Sequence, residues 1–149
     1  MFKHILAPVD GSETSMAAVV KAAELAKAFG AAVTAVYVID PYPFTGVGGE
    51  FAYGQDQYLN AARAEARTAM EGAAQRLQAA GVQAETRVTE SHTAWRGIID
   101  AIDACGADLV VMGSHGRRGL ERLVLGSVTQ SVLSHSKVST LVVRTPGAD

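Results

Sequence analysis

The chain has one cysteine, Cys105, in 149 residues. A lone cysteine excludes an intrachain disulfide, and inside a helix-like stretch it reads as a small buried apolar residue. Blocks of like charge are missing as well. The net charge is −2, and with no basic stripe nucleic-acid binding through a charged face is not expected. No run of 18 apolar residues occurs, so no membrane-spanning helix is expected. The opening MFKHILAPVDGS is interrupted too soon for a signal peptide. His4, His92, His115 and His135 share no HxxxH spacing, so no metal site is expected. A cytoplasmic, soluble protein with no membrane partner is the expectation. What is abundant is apolar content, 48%, enough for the single core of one domain over residues 1–149.

The most informative stretch is Gly113 to Ser127, GSHGRRGLERLVLGS. Gly113 and Gly116 are separated by two residues, and Gly126 follows after nine more, with Ser127 next. An apolar run, Leu109 to Met112, precedes it and a helix-like segment, Val128 to Ser136, follows. Strand, glycine-rich loop and helix in that order form an anion-binding arrangement. Amides at a helix start are unpaired, the dipole adds partial positive charge, and glycines let backbone approach a ligand. The loop is not a Walker A motif, because no lysine lies between Ala107 and Ser136. Nor do Gly116 and Gly119 complete a dinucleotide fingerprint. Arg117, Arg118 and Arg122 outweigh Glu121, and a positive loop suits polyphosphate. A capped surface loop accounts for part of the pattern equally well, since Ser127 with Gln130 fits a capping box.

Taken in order, Phe2 to Val9 reads as a buried strand and Ser12 as the N-cap of a helix that Gly30 closes. Ala31 to Ile39 reads as a central strand buried on both faces. Asp40 to Asp56, rich in glycine and proline, reads as a long loop. Its Tyr42, Phe44, Phe51 and Tyr53 suggest a flap that packs on the domain or a partner. A long helix is expected over Gln57 to Ala80. Val82 to Thr89 alternates as an edge strand would. A helix capped by Thr93 carries Trp95, Ile98, Ile99 and Ile102 on its apolar face. Asp108 to Met112 and Val138 to Arg144 are the last two strands. Strands that alternate with helices imply parallel pairing with right-handed crossovers, and so a doubly wound α/β sheet with helices on both faces. Ligands of such sheets bind beyond the strands' carboxyl ends, where strand order reverses.

These residues resemble the universal stress protein (UspA) family along nearly the whole chain. The likeness rests on ILAPVDGSETS, VTAVYVID, ADLVVMGSHGRRGL and LGSVTQSVLSHSKVSTLVVR. The complete set Gly113, Gly116, Gly126 and Ser127 resembles the family's ATP-binding branch. The resemblance implies a Rossmann-like five-stranded parallel sheet of order 3-2-1-4-5. It implies a nucleotide held by Pro8, Val9 and Asp10 after the first strand and by the backbone of Val38 after the second. Met112, Gly113, His115, Gly116 and Arg117, then Gly126, Ser127, Val128 and Thr129, would serve the ribose and phosphates. Asp10 would lie by the ribose and Val38 by the adenine edge. Asp10 equally suits a turn residue bonded to its own backbone, Val38 plain core, and His115 a solvated loop. The sequence departs from the family at Glu90-Ser91-His92-Thr93, where the family often has a glycine. His92 there reads as an exposed turn residue.

The implied cofactor is ATP together with Mg²⁺, and the implied assembly a homodimer through the last strand, Val138 to Arg144. The function expected is a nucleotide-dependent regulatory protein of the stress response. The alternatives are a slow ATPase or phosphotransferase using the same site, and a scaffold acting through its dimer surface. Phosphoryl transfer needs a group to position the nucleophile, and Glu121 is the one carboxylate beside the loop. No catalytic residue is assigned.

Overall fold

The structure, a computed structural model, describes residues 1–41, 49–115 and 125–145, with backbone alone for 49–53. Five strands alternate with four helices: β1 (His4–Pro8), α1 (Glu13–Phe29), β2 (Ala32–Ile39), α2 (Gly49–Ala80), β3 (Ala84–Glu90), α3 (Ala94–Cys105), β4 (Leu109–Gly113), α4 (Ser127–His135) and β5 (Ser139–Val143). The sheet order is β3-β2-β1-β4-β5 with every pairing parallel. This is the doubly wound order the resemblance implied. It reverses between β1 and β4, which open a crevice at their carboxyl ends.

Alternation along the central strands divides the core into two layers. Ile5, Ala7, Val33, Ala35, Leu109 and Val111 pack beneath α1 and α2. Leu6, Val36, Val110 and Met112 pack beneath α3 and α4. On the first face alanines from α1 (Ala18, Ala22, Ala26) and α2 (Ala66, Ala69, Ala73) belong to one buried cluster. Small side chains let two helices and a sheet approach closely, so dispersion contacts are dense. Ser12 caps α1, its hydroxyl accepting from the Ser15 amide at 3.1 Å.

Three expectations need correction. The loop expected over Asp40 to Asp56 is shorter, because α2 begins at Gly49 rather than Gln57. Gln55 Nε2 donates to the Pro41 carbonyl at 3.2 Å, and the Tyr58 hydroxyl donates to that of Asp40 at 3.0 Å. Those anchors to the end of β2 outweigh the helix-breaking cost of Gly54. The loop's aromatics at 42 and 44 lie outside the described residues. Ser127 does not cap α4: Gly126 holds the N-cap position, Ser127 is the first helical residue, and Gln130 Nε2 donates instead to the Leu125 carbonyl at 2.7 Å. Thr93 sits at the N-cap of α3 but makes no capping hydrogen bond. Its own amide is taken by Ser91 Oγ at 3.3 Å, and that hydroxyl donates to the Thr93 carbonyl at 2.8 Å.

Candidate functional site

A cleft of about 330 Å³ opens at the carboxyl ends of β1, β2 and β4. From the β1–α1 turn come Pro8, Val9, Asp10 and, from the first turn of α1, Ser15. Gly11 adopts φ 88°, a left-handed conformation that glycine reaches without strain, and the chain thereby reverses into α1. Ser12 donates to Asp10 Oδ1 from its amide at 2.9 Å and from its hydroxyl at 2.6 Å. The turn reading of Asp10 is thus realised, yet it occupies one carboxylate oxygen. Among the described residues, Oδ2 accepts no hydrogen bond.

From β2 come Val36 and Val38. The Val9 amide donates to the Val36 carbonyl at 2.8 Å, the last bond of the β1–β2 ladder. Backbone polar groups alternate between the two neighbouring strands, so those of Val38 face the same way as those of Val36, past the end of β1. Among the described residues, neither the donor nor the acceptor of Val38 is bonded there. Ala94 and Ile98 of α3 and Met112 of β4 complete an apolar end.

The opposite end is polar. Gly113, His115, Gly126, Ser127, Val128 and Thr129 line it. Both ends of the glycine loop are pinned to the sheet. The Ser114 amide donates to the Val143 carbonyl at 2.9 Å, the Gly126 amide to the Ser114 carbonyl at 2.8 Å, and the buried Thr129 hydroxyl to the Gly113 carbonyl at 2.9 Å. Buried Ser114 Oγ lies 3.0 Å from His115 Nδ1. Among the described residues no side chain caps α4, and its first residues, exposed Ser127 with Val128 and Thr129, line the cleft's polar end, the arrangement that favours an anion. Gly113 has a second reason to be glycine. A Cβ there would lie 2.7 Å from Thr14 Cγ2 and 3.2 Å from the Thr14 carbonyl, so the first turn of α1 needs the space.

Of the thirteen residues the resemblance implied, Gly116 and Arg117 lie outside the described residues, as do Arg118, Glu121 and Arg122. The other eleven line this one cleft. Ser15, Val36, Ala94 and Ile98 line it too and were not anticipated. Period two along β2 from Val38 points to Val36, and the i,i+4 pair on α3 joins Ala94 to Ile98. His92 stays outside the cleft, 72% exposed, its Nδ1 3.5 Å from Asp40 Oδ1. Among the described residues no group of three His, Cys, Asp or Glu could hold a metal ion.

Fold and cleft together define a doubly wound α/β protein with a binding crevice at its switch point. The Universal stress protein family pattern matches residues 1–144. A universal stress protein of Methanocaldococcus jannaschii is 34% identical over 146 residues, covering 98% of this chain and 84% of its own. The universal stress protein UspA of Lactobacillus plantarum superposes with a TM-score of 0.83 at 28% identity, over 95% of this chain and 97% of that one. A universal stress protein solved in complex with cAMP superposes with a TM-score of 0.72 at 25% identity, over 97% of this chain and 98% of that one. The chain belongs to the universal stress protein family.

Proposed function

We propose that the chain is an adenine-nucleotide-binding regulatory protein that takes ATP in the switch-point cleft and acts as a homodimer. One observation carries the reading: a single cleft joins an apolar slot with an open backbone donor and acceptor at Val38, a carboxylate at Asp10, and the uncapped start of α4. Adenine needs the first, a ribose hydroxyl the second and phosphate the third. The cAMP complex of a related protein agrees with this chemistry. Mg²⁺ would be held chiefly by the phosphates and water, with the Asp10 carboxylate and the Ser127 hydroxyl as the lining side chains that could join them. The ion would neutralise phosphate charge; Asp10 and the α4 amides orient the nucleotide. The dimer would form through β5, which pairs with β4 on one side only.

The test is to denature purified protein, clear it and identify the released small molecules by mass spectrometry, then titrate apo-protein with ATP. ATP released near one per chain, or thermal stabilisation by added ATP, supports the reading. Release of ADP, with ATP converting to it on incubation, makes the protein a slow ATPase instead. No release and no stabilisation by ATP overturn nucleotide binding.

A further inference from the structure

Gly97, the fourth residue of α3, is buried and is not among the residues that line the cleft. A Cβ placed on it would lie 2.8 Å from Val38 Cγ1, 3.1 Å from Val38 Cγ2 and 3.0 Å from Ser91 Cβ. Real Cβ atoms do not make the 2.8 Å approach and the other two are tight, so any larger residue forces something to move. Ser91 is poorly placed to yield, because its hydroxyl is bonded to both backbone groups of Thr93. Val38 or the whole of α3 must then shift. Ala94 and Ile98 flank Gly97 on the same helix and form the wall of the apolar end. Val38 carries the open backbone groups opposite them. Either displacement therefore changes the apolar end of the cleft. The departure from the family at Ser91 belongs to the same contact, since its side chain fills space beside Gly97.

We infer that Gly97 is a positioning residue for the base end of the cleft: its missing side chain lets α3 close on Val38, and so sets the slot that grips a planar heterocycle. This rests on the adenine-nucleotide reading, and it touches no ligand atom itself. The experiment is calorimetric titration with ATP, well below each protein's melting temperature, of wild type, Gly97→Ala, Val38→Ala and the double variant. Wild-type protein that binds no ATP overturns the nucleotide reading, and that result is obtained before any variant is made. With wild type binding, Gly97→Ala is expected to weaken ATP about tenfold. The double variant loses the Val38 contacts at 2.8 and 3.1 Å and keeps the one to Ser91 Cβ at 3.0 Å, so affinity is expected to return to within about threefold of Val38→Ala alone, as coupled neighbours require. Gly97→Ala that melts lower but binds ATP as wild type does overturns the inference, for then Gly97 serves packing only. Should the single variant fail to fold, the double variant decides. Folded with the affinity of Val38→Ala, it supports the inference. Folded with the loss unrepaired, or unfolded, it overturns it.

Discussion

Asp10 divides its carboxylate between two tasks. Oδ1 holds the turn that starts α1 through Ser12, and Oδ2 remains available to the cleft. Asn keeps the acceptor and loses the charge, so Asp10→Asn should melt close to wild type while ATP affinity falls by about 1 kcal/mol, the difference between a charged and a neutral acceptor. Asp10→Ala should also lose about 1 kcal/mol of stability with the turn. If titration finds ATP affinity unchanged in both, Asp10 has no part in the site. Gly113 divides differently, because Thr14 excludes a side chain whether or not nucleotide is bound. Gly113→Ala should destabilise the nucleotide-free protein by about 1–3 kcal/mol through overpacking, read from denaturant unfolding. A glycine kept solely for a ligand would show no such loss. Nothing in the glycine spacing separates these reasons; only the position of α1 against β4 does.

At the scale of elements, the starts of β1 and β4 are tied by Asp108. Its carboxylate accepts from the Lys3 amide at 3.1 and 3.0 Å and from the His4 amide at 3.0 Å. Burial pushes this carboxyl upward, but the amides of His4 and Lys3, with the charge of His4, hold it below its ordinary 3.8. A carboxyl with a lowered folded pKa stabilises the fold above its unfolded pKa, and that contribution is lost as pH falls through the folded value. Melting temperature should therefore drop as pH falls below about 4, and Asp108→Asn should flatten that acid limb by melting lower than wild type at neutral pH, where the ionised carboxylate contributes, and close to it in acid. An acid limb identical in the variant would mean other carboxyls set it. The helices themselves were largely legible: Ser12 and Gly30 bound α1 as their types suggest. The start of α2 was not, because Gln55 and Tyr58 anchor to β2 carbonyls that are remote in sequence. Ser127 misled for a local reason: Gly126 sits at the cap and Ser127 is already the first helical residue.

At the scale of the whole molecule, both edges of the sheet pair on one side only. The β3 edge is charged and alternating, AETRVTE, which discourages pairing with another chain. The β5 edge is STLVV, with Leu141 39% exposed, and apolar edges invite it. Light scattering after size exclusion should find a dimer, and Leu141→Lys should move it to monomer without loss of fold. A monomeric wild type would overturn assembly through this strand.

The order of elements, the layers of the core and the strand-end turns follow from the sequence alone, because period-two and period-3.6 apolar patterns and glycine punctuation are local signals. The glycine loop and Asp10 were also visible there as types in a pattern. Which of their atoms remain free was decided only by the tertiary structure. The open backbone of Val38 depends on where β1 stops beside it, and the cleft's apolar wall depends on Gly97 and Ser91 meeting Val38 across a helix–sheet interface. Such contacts join residues roughly thirty to sixty positions apart, and no local spacing encodes them.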